Sequence, residues 1–290
     1  MAWGGEASSH GAWRGDRGRV SARLELIRAL FPDLASDLDA AAARHAAPGA
    51  AASLDDRLDA AAARLLPQAA FADIDDRGAR SRVERSFAAA RAACAWMSVD
   101  PPEPEAFAAA GVDFARLGAE LASDPSLTAV PAPFGCGADV WRAAVAAATD
   151  ASPDAVRETH GAYALVLASE AEHEFGVLDA APAGAPVATS SGVPWTLRLI
   201  PAGVRPPVLG LGFAHGPHVT LPEMLMLQLM LLAEGEQPVD SASFTWLAGA
   251  LADGRLAARH VYDESERTIR ITCREIGNQG PHLGARTPRG

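Results

Sequence analysis

The chain has 290 residues, 49% of them hydrophobic, and its 36 acids against 25 arginines leave a net charge of −11. That length can bury a sizeable core, as one large domain or two closely packed ones. The acids are concentrated at 101–200, where 13 face only 4 arginines, so no basic face is on offer and a nucleic-acid partner is excluded. The longest apolar run, Met224–Ala233, is about half of what a bilayer crossing needs, which excludes a membrane partner.

Three widely spaced cysteines, Cys94, Cys136 and Cys273, fit free thiols in a reducing cytoplasm. Residues 1–18 are polar and rich in Gly, Ser and Arg, without the apolar core of a secretory signal, and read as a disordered tail. There is no lysine, and Asn278 is the only asparagine. A GC-rich bacterial genome accounts for this bias more simply than selection against a lysine-directed modification.

From Arg19 to about Ala122 the pattern predicts helices parted by prolines and aspartates. Leu24, Ile27, Leu30 and Phe31 recur at helical spacing, and Ser53-Leu-Asp-Asp56 resembles an N-cap opening a helix that stops before Pro67. Arg80–Val99 carries one apolar stripe: Val83, Phe87, Ala90, Cys94 and Met97. The acids of Asp73–Asp76 read as helix-start acids rather than a calcium loop, which would need twelve residues with a central glycine. A further helix covers Asp113–Ala122.

Val130–Gly137 reads as a rigid Pro/Gly loop leading into a helix over Ala138–Ala148. Ser152-Pro-Asp154 has the form of a cap with proline at the first helical position. Tyr163–Leu167 suits a buried strand and Ser169–Phe175 a short helix, while Ala180–Pro194 reads as a long loop or hinge. Two extended runs follow, Trp195–Ile200 and Val208–Phe213, and then a helix, Pro222–Ala233, apolar on nearly every side. Such a helix is either wrapped by its own chain or lies in a subunit interface. Asp240 or Ser241 caps a predicted helix over 240–252, and Ala257–Tyr262 with Arg267–Cys273 alternate around a turn as a β-hairpin.

The order of a capped helix, Phe244-Thr-Trp-Leu-Ala-Gly249, a hairpin, then Gly277-Asn278 and Leu283-Gly284 resembles the C-terminal part of an actinobacterial family of unknown function. The resemblance covers roughly the last 70 residues and implies a bacterial, cytoplasmic origin but no activity.

Four constellations bear on chemistry. His215 and His218, with His260, His282 and Cys273, contain no set spaced to converge on zinc, and turn capping by these imidazoles is the simpler reading; no metal or other cofactor is expected. Gly210, Gly212 and Gly216 before the helix at Pro222 form an anion pocket in outline, with tail arginines such as Arg286 or hairpin arginines such as Arg259, Arg270 and Arg274 as bidentate partners. Cys136, just before a helix, has the position of a low-pKa thiol with His160 as base, though a buried structural cysteine is the simpler reading. Helix 240–252 and the hairpin imitate part of a winged helix, but the acidic tip Asp263–Glu266 repels phosphate.

The resulting expectation is an α+β fold: an N-terminal helical layer joined to a small, mostly antiparallel C-terminal sheet with two helices and a β-hairpin. The parts are 1–18, a mainly helical 19–180, a loop or hinge at 181–194, and 195–290. The expected function is a cytoplasmic, non-catalytic binding or interaction protein, as a homo-oligomer or with a protein partner. The alternative is an enzyme or binder of a small anionic metabolite between the 212–218 loop and the 277–289 tail, with His215, His218, His282 and Arg286 as ligand-binding residues.

Overall fold

The computed structural model describes residues 69–151, 161–208, 216–278 and 280–290. The tail at 1–18, the helices and caps expected before residue 69, the 152–154 cap, His160, residues 209–213 of the second extended run, and His215 lie outside the described residues.

Helix α1, Arg77–Met97, opens where Asp76 accepts a hydrogen bond from the Ala79 N–H at 2.7 Å, so the aspartate cluster does start a helix. Its stripe of Val83, Phe87, Ala90, Cys94 and Met97 is buried as predicted. Helix α2, Pro104–Ala109, and α3, Phe114–Ser123, follow, with Asp113 capping α3 through the Arg116 N–H at 2.9 Å. Phe71, Phe87, Phe107 and Phe114 bind these helices together in tilted and edge-on pairs with centroids 5.4–5.8 Å apart.

The smaller sheet has the order β1-β4-β3, with β1 at Leu127–Pro133, β3 at Ala188–Ser190 and β4 at Val193–Pro201, all antiparallel. Two expectations are corrected here. The loop predicted at 130–137 is a strand as far as Pro133, and the loop at 181–194 contains β3. Proline cannot donate to a ladder, but β1 is an edge strand bonded only to β4, where Pro131 and Pro133 are tolerated. The C-terminal tail joins the open side of β4, where Leu199 and Arg289 exchange N–H···O bonds of 2.8 and 2.9 Å.

The larger sheet has the order β2-β7-β6-β5-β8. Its strands are β2 Ala164–Leu167, β5 Phe244–Leu251, β6 Leu256–Asp263, β7 Thr268–Glu275 and β8 Leu283–Ala285. The predicted hairpin is present as β6–β7, closed by the Asp263↔Thr268 pair. The helix predicted over 240–252 is instead β5, an interior strand between β6 and β8. Its Phe, Thr and Trp favour a pleated surface. Gly249, at φ 107, sits in the bulge that shifts the register between Trp246 and Ala250, so the strand bends where a helix would have continued.

Helices α4 (Ala138–Ala147), α5 (Ser169–His173) and α6 (Phe175–Leu178) pack on β2, β7 and β5 respectively. Helix α7, Leu221–Ala233, is buried at every position from Leu221 to Met230. It packs against α1, β1 and α4 of its own chain, so the wrapped reading holds and the interface reading falls. One hydrophobic cluster takes in Phe87, Trp141, Leu199, Leu225 and Ile271, and so continues across the 181–194 segment. The architecture is α+β.

Candidate functional site

Helix α7 begins with a complete capping box. Glu223 Oε2 accepts the Thr220 N–H at 2.9 Å and the Thr220 hydroxyl at 2.8 Å, while the Glu223 N–H donates to Thr220 Oγ1. Arg198 of β4 then donates Nε and Nη2 to the two Glu223 oxygens, each at 2.6 Å, in a buried bidentate pair. The anion expected at this helix N-terminus is therefore the chain's own carboxylate.

A second buried network joins α7 to the larger sheet. Asp240, His260 and Arg286 are all 0% exposed. The Arg286 guanidinium donates to Asp240 Oδ1 at 2.5 Å, to the Gly203 carbonyl at 2.9 Å and to the Pro201 carbonyl. Asp240 Oδ2 accepts the Thr245 hydroxyl at 2.7 Å and His260 Nδ1–H at 3.1 Å.

The far side of the ring settles its tautomer. Gln228 Oε1 accepts the Val239 N–H and its Nε2 donates to the Val239 carbonyl, so the amide has one orientation. That amide nitrogen lies 3.0 Å from His260 Nε2, which must accept, leaving the ring proton on Nδ1, facing Asp240. Burial pushes the Asp240 carboxyl up, but the hydrogen bond from His260 and the charge of Arg286 outweigh it and hold the group below its ordinary 3.8. Asp240 also adopts φ 70, a left-handed conformation rather than that of the helix cap expected there.

Of the expected ligand residues, His215 lies outside the described residues, and His218, His282 and Arg286 take separate places. His218 is buried ahead of α7, its Nε2 accepting the Gly216 N–H at 3.3 Å. The tail does run beside this segment, with the Val219 N–H on the Arg286 carbonyl at 2.8 Å. Yet His282 is exposed at the opposite end of β8 from Arg286. Arg286, expected as a tail arginine that binds an anionic ligand, is a buried structural cation whose anion is Asp240.

Cys136 departs from the reactive-thiol reading. Burial, then the charge of Asp179, pushes it up to about 11. Asp179 accepts the Gly137 N–H at 2.8 Å on its carboxylate and the Gly135 N–H at 3.2 Å on its carbonyl, which fixes the loop holding Cys136. Among the described residues, no group of three or more His, Cys, Asp and Glu side chains is placed to hold a metal ion.

The outer face of the larger sheet is partly open to solvent: Trp246 and Ala257 are buried in it, Arg259, Val261 and Thr272 are half-buried, and Arg274 is exposed. The register puts Trp246, Arg259 and Thr272 in one row across β5, β6 and β7, and Ala257 with Arg274 in the next. Arg259 lies over the Phe244 ring, 4.1 Å from its centroid, and its Nε donates to Thr272 Oγ1 at 2.9 Å. Trp246 anchors a small cluster with Ala257, Leu283 and Ala285, separate from the main core. Arg274 beside it is exposed. Burial, and then the Arg274 charge, depresses the Arg259 pKa below its usual value. Arg198, Arg270, Arg286 and Arg289 each meet a carboxylate, whereas among the described residues Arg259 and Arg274 meet none.

A cavity of about 150 Å³ opens elsewhere, between α3 and β4, floored by Leu197 and Leu199 and rimmed by the exposed Arg116–Glu120 pair. Neither buried ion pair was legible in the sequence, since Arg198 and Glu223 lie 25 residues apart, Asp240 and Arg286 lie 46 apart, and no local spacing joins them. The arginines of β6 and β7 were visible as hairpin residues, but their shared face required the register. No family model, curated protein or solved structure matches the chain.

Proposed function

We propose that this chain is a non-catalytic binding protein that engages a protein partner through the outer face of its larger sheet. The observation that supports this is the Arg259–Arg274 pair beside the Phe244 ring, two neighbouring cations without a carboxylate among the described residues of an acidic protein. Val166 on the same face is 44% exposed and Val261 half-buried, adding apolar contact area. A bacterial cytoplasmic setting belongs to the same reading, as does the actinobacterial likeness of the C-terminal 70 residues. Three free cysteines support a reducing compartment, and among the described residues no helix is long and apolar enough to cross a membrane. A homo-oligomer draws no support from α7, which its own chain wraps.

The competing reading, an enzyme or binder of a small anionic metabolite at the 212–218 loop and tail, draws support from the Val219–Arg286 backbone bond. Its main cation, however, is already neutralised by Asp240. A photoreactive amino acid at position 261 should cross-link a defined partner in a bacterial lysate, and one at position 105 on α2 should not. In parallel, a thermal-shift panel of phosphates, nucleotides and carboxylates should leave the melting temperature unchanged, because a specific ligand stabilises by RT ln(1 + [L]/Kd). A reproducible shift with a small anion, with no cross-link from position 261, would move the function to the competing reading.

A further inference from the structure

The geometry points to an extended acidic segment of a partner protein, with carboxylates on alternate residues, as the occupant of the Arg259–Arg274 face; this rests on the binding-protein reading above. Arg259 pairs with Thr272, and Arg274 with Ala257, so the two arginines are diagonal neighbours on adjacent antiparallel strands. Such neighbours stand roughly 7–8 Å apart. Side chains at alternate positions of an extended peptide point the same way and repeat at about 6.6–6.8 Å. Two acids one residue apart therefore match the spacing of the two strand positions that carry the guanidiniums.

Arg259 is preorganised for such contact. Its Nε is held by Thr272 and its plane by Phe244, leaving its terminal nitrogens for a carboxylate. The like-charge repulsion between Arg259 and Arg274, which no acid among the described residues relieves, would be relieved by the partner's acids. The residue between the acids faces away from the sheet, and a flanking apolar residue has Val261 and Phe244 to rest against. A long polyanion fits less well, because phosphates beyond the pair would run onto a chain of net charge −11.

The test is fluorescence anisotropy on the full chain, with a labelled peptide carrying glutamate at alternate positions and threonine and valine between. Its glutamine counterpart and an oligothymidylate of equal charge complete the panel. The glutamate peptide should bind and weaken as salt rises, and the glutamine peptide should not bind. Arg259→Gln and Arg274→Gln should each weaken binding about threefold, and together about tenfold, in line with half-exposed ion pairs. Arg91→Gln, at the exposed pair with Glu103 on α1, should change nothing. Circular dichroism spectra identical to the parent's would show that the variants fold.

Equal binding of the glutamine peptide, indifference to both substitutions, or tighter binding of the oligothymidylate would overturn the inference. If the peptide fails while position 261 still cross-links a partner, the face binds but its partner is not acidic. If both fail, the binding reading itself falls.

Discussion

Replacing Arg286 with methionine tests whether the buried network is structural. The substitution keeps much of the side-chain volume but removes the guanidinium on Asp240 Oδ1, and with it the donors to the Gly203 and Pro201 carbonyls. Asp240 would keep Thr245 and His260 as donors, yet its charge would be uncompensated at a fully buried position. Breaking a buried pair in this way costs about 3–5 kcal/mol, a large part of a typical stability of about 5–15 kcal/mol. The assay is urea denaturation followed by far-UV circular dichroism at pH 7. Adding Asp240→Asn to the methionine variant removes the stranded charge and should recover much of the loss.

The pH dependence has a definite sign. In the parent, the Asp240 carboxyl lies below 3.8, so its contribution is present above the unfolded pKa and is lost as pH falls through the folded one. In Arg286→Met the carboxyl loses the guanidinium that helps to hold it down, so its pKa moves up from the parent's and protonation costs the folded state less. The gap between parent and variant should then narrow from pH 7 toward pH 4. A loss under about 1 kcal/mol, or a gap that widens with acid, would refute the assignment of Arg286 as a buried structural cation.

Leu227→Ala, at the centre of α7, should cost about 2–5 kcal/mol with no change of mass in sedimentation, since the helix packs within its own chain. Gly284→Ala should destabilise by about 1–3 kcal/mol, because its new methyl carbon would lie 2.2 Å from the Pro207 carbonyl oxygen. Gly280→Ala meets nothing within 4 Å and should be nearly neutral in the same melt. Cys94 and Cys136, pushed up to about 12 and about 11, should resist iodoacetamide at pH 8 in the native protein and alkylate promptly in urea, as read by mass spectrometry.

The sequence by itself determined the elements whose causes are local. Helix α1 follows from acids at its start and one apolar stripe, and α7 from a nearly unbroken apolar run. The β6–β7 hairpin follows from alternation around an acidic turn. Only the tertiary structure decided the rest, because the deciding partners are distant along the chain. Phe244–Leu251 carries both a plausible cap and helical spacing, and pairing with β6 and β8 makes it a strand. Leu127–Pro133 looks too proline-rich for a sheet, and its edge position beside β4 makes room for it. Arg286 reads as a solvated tail charge until Asp240, 46 residues earlier, draws it into the interior. A buried charge needs a counter-charge, and which one it finds is a property of the fold, not of any local window of sequence.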